Sequence, residues 1–200
     1  MRMRKAIAEV RAGAKNVTRM NRKIDDAGVR DLAKVLATNS TLEELKLNAN
    51  NIGPDGARAL AEALKKNVAL KDLTLYSNRI LEEGAGALAA CLEANWTLVT
   101  LSLGQNGIGP RGAELLAEAL FTNTTLRALH LESNNIGTDG AQALATCLRR
   151  NVGLRQLVLC GNSLWPCPTT SLCKNFGWTT TPSARKAPGR SPRASAPTSG

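Results

Sequence analysis

The chain repeats itself every 28 residues. Asn50, Asn78, Asn106, Asn134 and Asn162 fall at that spacing, and so do Gly28, Gly56, Gly84, Gly112 and Gly140. Three more series keep the same step: Ile24, Ile52, Ile80, Ile108 and Ile136; Asn39, Asn67, Asn95, Asn123 and Asn151; Leu42, Leu70, Leu98, Leu126 and Leu154. A period held this strictly means stacked copies of one supersecondary unit.

Each unit has two halves with different hydrophobic periods. In Leu42-Glu43-Glu44-Leu45-Lys46-Leu47, Leu45 and Leu47 alternate with polar neighbours. A period of two predicts a strand with one buried face. From Gly56 to Leu64 the apolar positions are Ala57, Leu60, Ala61 and Leu64, a single helical stripe. Pro54 suits the first helical turn, where its missing N–H costs nothing. Asn67 follows the last periodic Leu, where Asn adopts the left-handed cap conformation. The repeated Gly is read as serving the tight strand-to-helix turn. One strand and one helix cannot bury their apolar faces alone, but stacked copies can. The predicted fold class is therefore α/β, a solenoid with a parallel sheet on one side. Residues 40–151 supply four complete units, 24–39 a preceding helix and 152–165 a fifth strand.

The pattern L-x-x-L-x-L-x-x-N-x-I, followed by G-A-x-x-L-A-x-x-L-x-x-N, resembles the leucine-rich repeats of ribonuclease-inhibitor type. Leu42–Asn67, Leu70–Asn95, Leu98–Asn123 and Leu126–Asn151 carry it. The resemblance implies a horseshoe arc, with strands on the concave face and helices on the convex one. It also implies a structural ladder of buried Asn50, Asn78, Asn106, Asn134 and Asn162. Their amides would both donate to and accept from turn backbone. The same repeat class occurs in the sensor regions of nucleotide-binding (NOD-like) immune receptors and in Ran GTPase-activating proteins. The function so implied is protein–protein interaction, in a receptor-like sensor or a scaffold. Activation of a small GTPase is the alternative, although no motif beyond the repeat matches.

The pattern fails at both ends. By register, the strand before Ile24 should carry Leu at 17 and 19 and Asn at 22, where the chain has Val17, Arg19 and Arg22. Beyond Leu164 the run Trp165-Pro166-Cys167-Pro168 breaks it. From Thr179 onward the composition cannot form a core. The organisation read from this is a basic N-terminal segment 1–20, a repeat domain 21–165 and a basic, disordered tail 166–200. Neither end offers a cap, so an exposed apolar edge and self-association through the ends are expected, as is a truncated parent gene product.

Charge follows the same division. Residues 1–23 net +7 and residues 166–200 net +5, out of a total of +10, so 24–165 net −2. Any nucleic-acid contact is thus confined to weak binding by the tails. No aromatic residues interleave the basic ones after Trp178, so base stacking is unsupported. Met1–Lys15 reads either as a solvated basic helix or as resembling a mitochondrial transit peptide, although it has no Ser. No stretch approaches eighteen uninterrupted apolar residues, so no membrane span is expected.

Candidate chemistry lies on the strands' outward positions: Glu44, Lys46, Asn48; Asp72, Thr74, Tyr76; Thr100, Ser102, Gly104; Ala128, His130, Glu132; Gln156, Val158, Cys160. Core positions hardly change between repeats, while these change at every step. The partner-binding set is Glu44, Lys46, Asn48, Asp72, Thr74, Tyr76, Thr100, Ser102, His130, Glu132 and Gln156. Tyr76 and His130 are its expected anchors. The other reading is a solvated sheet without a ligand. Pairing His130 with Ser102 or Glu132 lacks a nucleophile elbow or fixed triad spacing, so no enzyme is expected. Cys91 and Cys147 lie two repeats apart, too far to bridge, and Cys160, Cys167 and Cys173 lack zinc-pair spacing. No metal and no cofactor are expected, and unpaired thiols favour the cytoplasm. Phe121 is read as exposed and Trp96 as packed in a helix-to-strand turn.

Overall fold

A computed structural model describes residues 3–163. The elements are α1 (Arg4–Arg11), β1 (Asn16–Thr18), α2 (Asp26–Leu36), β2 (Glu44–Lys46), α3 (Pro54–Leu64), β3 (Asp72–Thr74), α4 (Leu81–Leu92), β4 (Thr100–Ser102), α5 (Gly109–Leu120), β5 (Ala128–His130), α6 (Gly137–Leu148) and β6 (Gln156–Val158). The strands form one parallel sheet in chain order. Its register advances by 28 residues at each step, so Val17, Leu45, Leu73, Leu101, Leu129 and Leu157 stand side by side. Parallel neighbours need a crossover, and each helix from α2 to α6 supplies one. The fold is the α/β leucine-repeat solenoid that the period predicts, with Pro54 in the first turn of α3.

Leu42, Leu45, Leu47, Ile52, Leu60 and Leu64, with their equivalents, fill the space between sheet and helices and are buried. Sheet pairing runs on past the strands: Leu47 N donates to Thr74 O at 2.9 Å and Ala49 N to Tyr76 O at 2.8 Å. There the chain turns through a left-handed residue once per unit. Ala49, Ser77, Gln105 and Ser133 have φ of 54–56°, although none is glycine. Such a conformation costs about 1–2 kcal/mol for an L-residue. The asparagine that follows holds it in place.

Asn106 shows how. Its Nδ2 donates to Leu103 O and, in the unit before, to Leu75 O, each at 2.9 Å, while its Oδ1 accepts from Ile80 N at 3.3 Å. Asn50, Asn78, Asn134 and Asn162 are also buried and donate to the same two kinds of carbonyl, one in their own turn and one in the unit before. A second ladder lies at the helix C-termini. Asn67 Nδ2 donates to Leu36 O at 2.7 Å and its Oδ1 accepts from Leu70 N at 2.8 Å. Asn67 is not left-handed, contrary to the cap expected from its position. Its side chain does the capping, for the helix of the preceding unit.

The repeated glycine also has a different reason. Gly84 lies inside α4, not in the turn, and its φ is not positive. A Cβ there would stand 2.6 Å from Ile80 Cγ2, 3.0 Å from Ala57 Cβ and 3.2 Å from the Pro54 Cα. Gly112 and Gly140 are crowded in the same way, by Ile108 and Ala85 and by Ile136 and Ala113. The column is glycine because adjacent helices approach closely there.

The N-terminal end departs most from the sequence reading. Among the described residues the sheet has six strands, since β1 forms despite Val17, Arg19 and Arg22. Helix α1 packs on it through buried Met3, Ala6 and Val10, while Arg4, Lys5, Ala8 and Arg11 face water. The basic segment 1–20 thus contributes a half-unit to the solenoid from residue 4 onward and is not a free basic helix. Arg19 occupies the register position of Leu47 and pairs with Glu9 of α1, Nη2 to Oε2 at 2.6 Å. The half-unit presents the polar outer face that a solenoid end requires. At the other end Leu154, Leu157 and Leu159 are buried, so the apolar exposure expected of the last strand is not found there. The tail 166–200, with Cys167 and Cys173, lies outside the described residues.

Candidate protein-binding face

Straight register turns the strands' outward side chains into three rows. The first is Asn16, Glu44, Asp72, Thr100, Ala128, Gln156, and the second Thr18, Lys46, Thr74, Ser102, His130, Val158. Backbone hydrogen bonds beyond the strands align a third: Met20, Asn48, Tyr76, Gly104, Glu132, Cys160. Six strands span about 24 Å at ~4.8 Å each. Asn16, Thr18 and Met20 belong to this face and were missed by sequence reasoning. The step of 28 continues through them, but Arg19 and Arg22 hide it. Met20 is 46% exposed, an apolar residue at the end of the third row.

The predicted residues are not equivalent. Glu44 and Lys46 form an ion pair at 2.5 Å and neutralise each other. Asn48 Oδ1 accepts from Tyr76 N at 3.1 Å and so fixes the backbone that carries the tyrosine. Ser102 is only 8% exposed and forms floor rather than contact surface. Gln156 is exposed, and Asp72, Thr74, Tyr76, Thr100, His130 and Glu132 are half-buried. Among the described residues no cation lies within ion-pair distance of Asp72 or Glu132, which leaves two uncompensated carboxylates on the face.

Gly104 organises the centre. It is buried, and a Cβ on it would lie 2.5 Å from Glu132 Cδ and 2.7 Å from Tyr76 Cδ2. The missing side chain lets the tyrosine ring and the carboxylate, on strands either side, converge over it. Among the described residues three polar atoms are shielded from solvent without a hydrogen-bond partner: Thr74 Oγ1 and His130 Nε2, in the row before this junction, and Glu132 Oε2 within it. Leaving such an atom unmade costs about 1–3 kcal/mol.

Basic residues mark the rim before the strands. Lys15 and Lys71 flank Glu43 at 3.8 Å and 2.7 Å. The hydrogen-bonded Lys71 ammonium holds the Glu43 carboxyl below its ordinary value. Arg127 Nη1 donates to Gly153 O at 2.7 Å. Ser102 and His130 are register neighbours, yet no hydrogen bond joins them among the described residues. Cys91 and Cys147 are buried free thiols, and burial pushes them up to about 12 and about 11. Trp96, expected to pack, is 57% exposed, and Phe121 is exposed as read.

Three segments, residues 38–61, 94–117 and 122–145, match the family model described as Leucine Rich repeat. No curated protein matches the chain in sequence. Its fold is similar to a solved Caenorhabditis elegans tropomodulin C-terminal domain, with TM-score 0.62, 18% identity, and coverage of 74% of this chain and 92% of that one. It is similar as well to a solved structure of "Leiomodin-1 Actin-Binding Site 2 (ABS2)", with TM-score 0.61, 24% identity, and coverage of 74% and 87%. At these identities the likeness is one of fold.

Proposed function

We propose that this leucine-rich repeat chain is a protein-interaction module that recognises its partner on the concave face of the arc, without covalent chemistry. The observation that carries the reading is the contrast between rows. Buried positions repeat nearly unchanged from unit to unit, while Glu44, Asp72, Thr100, Ala128 and Gln156, one register apart, share no common side chain. A rigid frame that displays a varied surface is how solenoids bind. The desolvated polar atoms of Thr74, His130 and Glu132 on this face add an unmet demand for hydrogen bonds.

One fold neighbour is an actin-binding site of leiomodin-1, which makes actin the first partner to try. Unpaired thiols favour a reducing compartment, so we place the protein in the cytoplasm. Among the described residues no helix is long and apolar enough to cross a membrane. Membership of a receptor-like sensor or of a scaffold fits the same surface.

The test compares two variants for capture of partners. Tyr76→Ala/His130→Ala alters the concave face, and Arg58→Ala/Glu62→Ala the exposed side of α3. The concave pair should abolish specific capture and the convex pair preserve it. The opposite result would overturn the assignment. A GTP-hydrolysis assay separates the GTPase-activator reading, since a binder leaves the rate unchanged.

A further inference from the structure

Resting on the concave-face reading, we infer that the Tyr76–Glu132 junction over Gly104 is a receptor for a guanidinium group, the side chain of an arginine on a protein partner. Gly104 is the one member of its row without a side chain, its register equivalents being Met20, Asn48, Tyr76, Glu132 and Cys160. An aromatic ring and a carboxylate are therefore brought within 2.7 Å of one point, at the centre of the sheet. Elsewhere in the row a side chain would keep such neighbours apart.

The unmet bonds define what fits. Among the described residues Glu132 Oε2 has no hydrogen-bond partner, and neither do His130 Nε2 and Thr74 Oγ1 in the row beside it. A carboxylate oxygen only accepts, while an imidazole nitrogen and a hydroxyl can take either part. The group that completes the carboxylate is thus a donor. It is also cationic, because among the described residues nothing neutralises Glu132 or Asp72, and Lys46 is already held by Glu44. A guanidinium offers five N–H donors in one plane, forks onto a carboxylate, and stacks on a tyrosine ring. An ammonium has three donors and no plane to stack, so it fits less well.

The chain carries one tyrosine, at this junction, and one histidine, His130, two residues before Glu132 on the same strand side. With selectively 13C-labelled tyrosine and histidine, each ring therefore gives one unambiguous set of NMR signals in the full chain. The probe is acetyl-Gly-Arg-Gly-amide, compared with its citrulline and lysine counterparts. Arginine should shift both rings saturably. Citrulline, neutral and of the same shape, should bind about tenfold more weakly, the worth of one charge-assisted hydrogen bond. E132Q should weaken the arginine probe by a similar factor. G104A, which forces the ring and carboxylate apart, should weaken it too; an unchanged methyl spectrum would show that the variant is folded. Equal binding of citrulline and arginine, full affinity in E132Q, or no shift up to the solubility limit would each overturn the site. If the arginine probe fails while Y76A/H130A still abolishes partner capture, this site falls and the concave-face reading stands. If the probe binds while Y76A/H130A leaves capture unchanged, the site holds and that reading fails.

Discussion

The first half-unit and the interior units solve the same stacking problem with different residues. Interior units are bounded on both sides by copies of themselves, and every element of their pattern is kept: paired Leu on the strand, Asn in the turn, Gly inside the helix. The α1–β1 half-unit has a neighbour on one side only, and it keeps only Val17 of that pattern. Arg19 takes the place of Leu47's equivalent and bonds Glu9, and α1 turns Arg4, Lys5 and Arg11 to water. Positions in the repeat are thus fixed by what lies on both sides of them. At this half-unit a charged pair stands where the interior units carry a leucine.

The sharpest break of this comparison is in the strand core. Leu101→Ala, between two stacked leucines, should cost about 3–4 kcal/mol in urea unfolding, and Val17→Ala at the end about 1–2 kcal/mol. Equal costs would show that position along the arc does not matter. Next comes the turn ladder. Asn106→Ala strips partners from Leu75 O, Leu103 O and Ile80 N and should cost about 3 kcal/mol. Asn50→Ala, whose earlier neighbour is the polar half-unit, should cost less.

Glycine substitution sharpens the same contrast. Gly84→Ala pushes a Cβ against Ile80, Ala57 and the Pro54 backbone, a loss of about 1–3 kcal/mol. At Gly28 the nearest atom is Met3 Cγ at 2.9 Å, in a flexible side chain that can swing aside. Gly28→Ala should be near neutral, since the helix gains about 0.8–1 kcal/mol in propensity. A small gain is expected at Leu81, left-handed with φ 57° where Gly109 and Gly137 stand in the following units. Leu81→Gly should raise the melting temperature slightly, by up to about 1 kcal/mol of relieved strain.

The thiols probe the interior alone. With Cys160, Cys167 and Cys173 replaced by Ser, the folded chain should resist an aromatic disulfide reagent, and both remaining thiols should react in urea. Burial raises them above the unfolded thiol value, so their contribution to stability is complete below pH about 9 and is lost as pH climbs toward 11–12.

Much of this was legible in the sequence, because register and period are the same thing in a solenoid. The strand at Leu45 and Leu47, the helix from Pro54 and the outward rows all follow from a step of 28. What was not legible depended on the neighbouring unit. Gly84 looked like a turn glycine because part of its crowding, from Ala57 and the Pro54 backbone, comes from the preceding unit and adds to that of its own Ile80. Asn67 looked like a left-handed cap because the carbonyl it serves, Leu36 O, is in the preceding helix. The half-unit at the N-terminus was obscured by Arg19 and Arg22, and charge was taken for a boundary. The Gly104 junction needed the register of Tyr76 and Glu132 together, and no single repeat shows it.

Recognition on the concave face is tested most directly by site-specific photo-crosslinking in cell extract, with the reactive side chain placed at Thr100 on the concave sheet or at Arg58 on the convex helices. A discrete crosslinked partner is expected from position 100 and none from position 58. A partner captured from position 58 alone would contradict concave-face recognition.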